Sequence, residues 1–421
     1  MLTGCAQLLT LRGPLPRRGR ALGELSTVRD GAVLVRDGCI AAVGTRAAVE
    51  RACRKLPARV RRTTRRIDAG GRVVLPGFVD SHTHLLFPAS RADDYEARIA
   101  GASYEQIARR GGGILSTVRK LRRAAPQELQ RRACRFLDQF AAHGTTTVEA
   151  KAGYGLDLAS ERKSLRLLRE LHQEHAVDVV STFLAHVVPP EYRARPDAYV
   201  DYVARQMIPA VALEGLAEFC DVFCDRGAFT VTQSRRILTA GRACGLVPRI
   251  HAEQLARTGA ARLAIALQAA SADHLEHVSR ADIRALARSD VVCTLLPGCC
   301  FHLGLKRYPP ARELIAAGAI VALATDFNPG TSPTLNMQMI LSLACTQLGM
   351  TPAEAVAAAT SNGAYALRRH DRVGSLEVGK YADLAVFDLA DYREIPYYFG
   401  VNHCWMTLKR GRVIWQNRSA E

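Results

Sequence analysis

No apolar run in the 421 residues approaches the roughly 18 needed to cross a bilayer, so no membrane partner is expected and the cytoplasm is the default location. Leu2-Thr3-Gly4-Cys5 looks like a lipoprotein cleavage box, but no charged or apolar stretch precedes it, and the match reads as chance. None of the 12 cysteines forms a CxxC pair. In a chain too long to need covalent staples they read as reduced thiols, with adjacent Cys299 and Cys300 as packing residues. Lysine is scarce: only seven of the 57 basic residues are Lys, leaving 50 Arg against 40 acidic residues and a formal charge of +17. Such a charge raises the question of nucleic acid, yet no recognition motif accompanies it, and the arginines are spread along the chain, densest at Arg51 to Arg66 and Arg119 to Arg135. A solvated, arginine-rich surface with no nucleic-acid partner is the expectation, and a small anionic substrate suits the same charge.

What is present is the composition of a globular protein with a large core, 48% hydrophobic and 23% charged, long enough for one large domain and one small one. Asp30-Gly31 and Asp37-Gly38 bracket the alternation Ala32-Val33-Leu34-Val35 and lead into Ile40-Ala41-Ala42-Val43, a hairpin pattern. Near the other end, Ala382 to Leu389 and Trp405 to Trp415 read as short strands punctuated by Gly379-Lys380 and Arg410-Gly411. Between these β ends one unit recurs eight times, an apolar strand followed by a helical stretch. The strands end at Val79-Asp80, Val148-Glu149, Leu184-Ala185, Val222-Phe223, Arg249-Ile250, Ala272-Asp273, Leu295-Leu296 and Ala324-Thr325. The helical stretches include Tyr104 to Arg110, Gln127 to Ala142, Ser160 to Glu174, Thr232 to Cys244, Ala256 to Leu267, Arg280 to Arg288, Pro310 to Gly318 and Pro352 to Leu367. Eight βα units in series predict an α/β fold, a closed (β/α)₈ TIM-like barrel whose chemistry sits at the C-terminal ends of its strands.

The strand ends supply that chemistry. His82 and His84 lie two apart at the end of the first strand and so face one side, converging inside the barrel mouth. His251 ends strand five and Asp326 ends strand eight, which makes three imidazoles and a carboxylate around one mouth. These ligands fit zinc, or iron(II) with open positions, and a catalytic site keeps one position for water. His274 ends strand six and is the candidate general acid and base; His186 ends strand three and is a further candidate near the reacting centre. His277 tempts as half of an HxxH pair but falls past the strand, and His143, His172 and His175 sit on polar helical ground. Asn328-Pro329-Gly330-Thr331-Ser332-Pro333 offers backbone amides and hydroxyls to a ligand, and Ala152-Gly153-Tyr154-Gly155 offers a bend and a hydroxyl, though either is also an ordinary turn. Lys151 raises the idea of a carbamylated metal-bridging lysine; on strand two it reads better as a structural ion pair.

Pro76-Gly77-Phe78-Val79-Asp80-Ser81-His82-Thr83-His84, Gly111-Gly112-Gly113-Ile114 and Lys151-Ala152-Gly153-Tyr154-Gly155-Leu156 together resemble the imidazolonepropionase family of the amidohydrolases. So do His251-Ala252-Glu253-Gln254, Ser271 to His277, Leu295-Leu296-Pro297-Gly298, Ala324 to Pro333, Gly374 to Lys380 and Ile395 to Gly400. The resemblance covers roughly residue 30 to 415 and implies a barrel over residues 76–368, with a composite β-sandwich from residues 1–75 and 369–421. It implies one Zn2+ or Fe2+/Fe3+ per chain held by His82, His84, His251 and Asp326, with His274 and Asp326 catalytic. It further implies a substrate shell of Arg91, Tyr154, His186 and Gln254, with Asn328, Gly330 and Thr331 holding ring or product. The activity implied is hydrolysis of the ring C–N bond of 4-imidazolone-5-propanoate to N-formimidoyl-L-glutamate in histidine degradation. Gln254 departs from members that carry Glu there, which shifts the proton-transfer role to His274, and Cys299-Cys300-Phe301-His302 departs from the small and aromatic residues expected. Open alternatives are an amidohydrolase acting on another cyclic amide or amidine, dihydroorotase-like or a deaminase, and a non-catalytic barrel scaffold; a homodimer is also left open.

Overall fold

The chain begins with a strand that the sequence pattern did not single out. In the computed structural model, which describes residues 1–102 and 104–417, Leu2–Leu9 (β1) runs antiparallel to Thr27–Arg36 (β2), which pairs antiparallel with Cys39–Thr45 (β3). Ile67–Asp68 (β4) and Val73–Pro76 (β5) both lie parallel to β1. The hairpin turn falls at Asp37-Gly38 as expected, both with positive φ, 52° and 81°. Asp30-Gly31, in contrast, is not a bracket but lies inside β2, where Asp30 takes φ 45°. The reason is β1 itself: a Cβ on Gly31 would stand 2.9 Å from Leu8 Cδ2, so the glycine admits the neighbouring strand.

Eight parallel strands follow in sequence order. They are Phe78–Asp80 (β6), Thr145–Ala152 (β7), Asp178–Ala185 (β8), Phe219–Cys224 (β9), Val247–Ala252 (β10), Ser271–His274 (β11), Val292–Leu295 (β12) and Ile320–Leu323 (β13). Nearly every residue on them is buried, as a parallel sheet covered by helices requires. The seam between β13 and β6 is closed just beyond the strands, where Asp326 N donates to His82 O at 3.0 Å and His84 N to Phe327 O at 2.8 Å. Asp80 pegs the same seam, accepting from the Thr325 amide at 3.1 Å and its hydroxyl at 2.6 Å. A near-closed TIM-like barrel is therefore present, and its last closing bonds are made by the backbone of the candidate ligands.

Leu384–Phe387 (β14), Cys404–Lys409 (β15) and Arg412–Gln416 (β16) complete the terminal sheet in the order β16-β15-β14-β5-β1-β2-β3, with β4 beside β1. Strands from both ends thus join in one sheet, edge to edge at the β14–β5 pair; residues 418–421 of the expected C-terminal portion lie outside the described residues. Leu8, Val33, Val74, Leu384 and Val386 form one of its hydrophobic clusters.

Two helical expectations are corrected. The stretch Pro352 to Leu367 is two helices, Pro352–Ala358 and Ser361–Ala366, broken at Thr360 with φ −127° and ψ −86°. The Ala359 carbonyl accepts from Val79 N of β6, a bond that a continuous helix would not leave free. The stretch Ala256 to Leu267 starts late, at Ala260–Ala266, because the Glu253 carboxylate gathers the amides of Thr258, Gly259 and Ala261 at the turn before it. Among the described residues no helix is long and apolar enough to cross a membrane, and all 12 cysteines are free.

Candidate metal centre and active site

At the C-terminal mouth the strands bring together His82, His84, His251, His274 and Asp326, each at most 4% exposed. Two overlapping triads result, His82/His84/Asp326 and His82/His251/His274, each with its ligand-type atoms within 4.8 Å of one another. His82 Nε2 and His84 Nε2 lie 3.6 and 3.5 Å from Asp326 Oδ1, long for hydrogen bonds. Donors about 2.1 Å from one tetrahedral ion are separated by roughly 3.4 Å, so this spacing fits a shared cation better than direct pairing. The ring centroids of His82 and His251 are 4.6 Å apart. Nε2 of both His82 and His251 is buried without a hydrogen-bond partner, an arrangement a protein rarely leaves uncompensated. The residues present fit a metal ion.

The other ring nitrogens are held from behind by carboxylates that the sequence reading did not assign. His82 Nδ1 donates to Asp273 at 2.7 Å, and His251 Nδ1 to Asp221 at 3.2 Å. Such bonds fix the tautomer, leaving Nε2 of each ring bare. Beneath them Lys151 bridges Glu149 and Asp221, each at 2.8 Å, and stands 3.8 Å from Asp273. Arg249 reaches Asp273 at 3.4 Å. Lys151 is therefore the ion-pair residue expected, at the centre of a fully buried network of two cations and three carboxylates. Burial would raise Asp221 and Asp273, but the cations and His251 hold both below the usual carboxylate range. Burial and the charge of Lys151 push His82 well below the ordinary histidine value, giving the neutral imidazole that a metal ligand must be.

His274 differs from its neighbours. Burial lowers its pKa, but Glu276, 3.4 Å from Nδ1, outweighs this and raises it. Cys300 Sγ lies 3.2 Å from the same Glu276 oxygen, so one of the paired cysteines abuts the site rather than only filling space. His274 and Asp326 also carry positive φ, 81° and 54°, conformations costing non-glycine residues about 1–3 kcal/mol and concentrated at functional sites.

The remaining candidates line one side. His186 stacks on His84 with centroids 5.6 Å apart and bonds the Gly153 carbonyl through Nδ1 at 3.2 Å. Tyr154, 3% exposed, packs 5.8 Å from His84, and burial lifts its hydroxyl to about 12. Arg91 sets a guanidinium beside it, Nη2 3.5 Å from the Tyr154 hydroxyl. Gln254 is turned to Cys299, its Nε2 3.6 Å from Sγ. Asn328 is largely occupied with its own loop: its Oδ1 accepts from the amides of Gly330 and Thr331, both at 2.8 Å, and its Nδ2 donates to Thr331 Oγ1 at 2.9 Å. Thr331 Oγ1 in turn approaches Asp326 Oδ2 at 3.5 Å. His277, His143 and His175 are half-buried and His172 is exposed, and all four lie outside both triads. Asp221 and Asp273 carried a faint signal, an acidic residue on an apolar strand; the pairing itself depends on barrel closure.

Residues 73–414 match the model of the amidohydrolase family. An imidazolonepropionase of Solibacter usitatus is 51% identical, covering 95% of this chain and 94% of that protein. One of Geobacillus kaustophilus is 48% identical, covering 97% and 96%. Among solved structures, an adenosine deaminase from Xanthomonas campestris with bound zinc superposes with a TM-score of 0.72 at 18% identity, over 99% of this chain and 93% of that one; at that identity the likeness is of fold. Matched by the family model over most of its length and by close relatives nearly end to end, this chain belongs to the amidohydrolase family, within its imidazolonepropionase branch.

Proposed function

We propose that the chain hydrolyses the ring C–N bond of 4-imidazolone-5-propanoate to N-formimidoyl-L-glutamate, a step of histidine degradation. The relatives named above support the reaction. The observation that carries it is the buried cluster itself, bare imidazole nitrogens and a carboxylate at ion-binding spacing with an arginine beside them. We assign one Zn2+ or Fe2+/Fe3+ to His82, His84, His251 and Asp326. His274 is the poorer ligand of the second triad, because Glu276 favours its protonated form and a ligand must be neutral. When bound, such an ion supplies Lewis acidity toward a water and a carbonyl oxygen.

The chain's own residues do the rest. Asp326 orients the attacking water and takes its proton. His274, its Nδ1 turned to Glu276, delivers a proton from Nε2 to the departing ring nitrogen. Gln254 has no proton to exchange, so no step passes through it. Arg91 pairs with the propanoate, since a guanidinium fork matches a carboxylate and nothing anionic among the described residues occupies it. His186 and Tyr154 wall the ring, and the Asn328–Thr331 loop bounds it on the Asp326 side. We take residues 76–368 as the catalytic barrel, 1–75 and 369–421 as the terminal unit, and the cytoplasm as the location, where free thiols stay reduced.

The test follows ultraviolet absorbance of 4-imidazolone-5-propanoate with purified, metal-supplied protein, alongside dihydroorotate and adenosine. Loss of the imidazolone signal alone is expected. No turnover of it, with turnover of either comparison substrate, overturns the proposal.

A further inference from the structure

One motif plays no part in the mechanism above: Gly111-Gly112-Gly113-Ile114, whose glycines lead into the helix Ile114–Arg123. The structure assigns it a purpose through Thr117. This residue, 2% exposed on the first turns of that helix, accepts a hydrogen bond from Arg91 Nε at 2.9 Å through its Oγ1. We propose that Thr117 is a positioning residue, holding the Arg91 guanidinium so that its terminal nitrogens face the substrate carboxylate; this rests on the imidazolonepropanoate reading.

Three further features point the same way. Arg91 has no carboxylate within ion-pair distance among the described residues, and its guanidinium is tethered by Thr117 and by the Tyr154 hydroxyl at 3.5 Å. The glycine run lets the helix come close enough to make the first tether. The amide of Gly113 donates to Asp94 at 2.8 Å, and a Cβ on Gly112 would stand 3.0 Å from Asp94 Cγ. Asp94 lies on the helix Ala92–Ile99 that Arg91 opens, so two bonds, three residues apart, bind the Arg91 arm to the Thr117 helix. On the opposite side Gly330 leaves room: a Cβ there would stand 2.8 Å from Arg91 Cζ. The guanidinium is thus fixed at Nε by an acceptor and given space by a missing side chain. A planar fork held at Nε leaves Nη1 and the second N–H of Nη2 for bidentate pairing.

The test is Thr117→Val, which keeps the shape and removes the acceptor, with Thr117→Ser restoring it. On 4-imidazolone-5-propanoate the Val variant is expected to raise KM roughly 5- to 20-fold with kcat within about twofold, since binding of a non-reacting group is lost. The Ser variant is expected to return close to wild type. On 4-imidazolone without the side chain, wild type and both variants are expected to show the same kcat/KM. An unchanged KM in Thr117→Val, a Ser variant no better than Val, or equal impairment on the truncated ring overturns the proposal. Failure of the underlying reading is separate and visible in the wild type: no turnover of imidazolonepropanoate, or no difference between Arg91→Met and wild type on it. Unchanged melting temperatures in both Thr117 variants show that the comparison is of folded proteins.

Discussion

At the scale of single residues, the site pushes similar side chains in opposite directions. His82 is kept neutral by burial and by Lys151, whereas His274 is drawn toward its protonated form by Glu276. His274→Asn is therefore expected to keep its metal yet lose on the order of 10² to 10⁴ in rate, the scale of general acid–base catalysis. Metal analysis of the variant decides: loss of the ion would make His274 a ligand instead. Lys151 presents the opposite case, a residue that touches no candidate ligand but sits 2.8 Å from the carboxylate behind His251. Removing one member of a buried network strands its partners, typically at about 3–5 kcal/mol. Lys151→Met is expected to lose that much stability in denaturant titration and to bind metal more weakly in chelator competition. Unchanged metal affinity would reduce the network to scaffolding. The imidazoles were legible in the sequence because period-two geometry and strand ends localise them. Asp221 and Asp273 were not, since each is chosen as a partner only once strands distant in sequence stand side by side.

At the scale of elements, the loop carrying Tyr154 depends on one buried acid. Glu161, on the helix Leu158–Glu174, accepts from the amides of Gly155 and Leu156 at 2.7 and 2.8 Å. Burial raises its pKa to about 7 even against those two bonds. A raised folded-state pKa means that the folded protein holds the proton more tightly than the unfolded chain. The stabilisation is thus full below the unfolded value near 4.5 and is lost as pH rises through about 7. The interval converts to on the order of 3 kcal/mol. Glu161→Gln keeps the accepting oxygen and cannot ionise, so its melting temperature is expected to gain on wild type steadily from pH 5 to pH 8. A constant difference across that range would reject the assignment. The barrel strands were readable because burial on both faces gives short unbroken apolar runs. The first strand was not: in Leu2-Thr3-Gly4-Cys5-Ala6-Gln7-Leu8-Leu9 the buried positions follow no alternation, and the irregular register between Leu2 and Cys5 explains why. Nor was the break at Thr360, whose cause is a bond to Val79 far away in sequence.

At the scale of the whole molecule, the metal is expected to act as a structural clasp as well as a reagent. The candidate ligands His82 and Asp326 also make the backbone bond that shuts the barrel seam. One zinc or iron per chain is expected by elemental analysis, and a ligand that binds only the folded state stabilises by mass action, about 2.7 kcal/mol at a hundredfold excess over Kd. Stripping the ion is expected to lower the melting temperature in proportion, and a reproducible two ions per chain would refute the single-ion reading. The terminal sheet, built from both ends of the chain, carries a different consequence, one of timing. β5 is flanked by β1 on one side and by β14 on the other, and β14 begins only at Leu384. On a ribosome adding roughly 5 to 20 residues per second, the strands made first wait on the order of 15 to 60 s for that neighbour. Throughout that interval β5 presents a bare strand edge, the kind of surface that recruits other chains. The oldest part of each nascent molecule is thus among the last to be finished, and translation halted before Leu384 leaves a barrel whose companion sheet is open along one side.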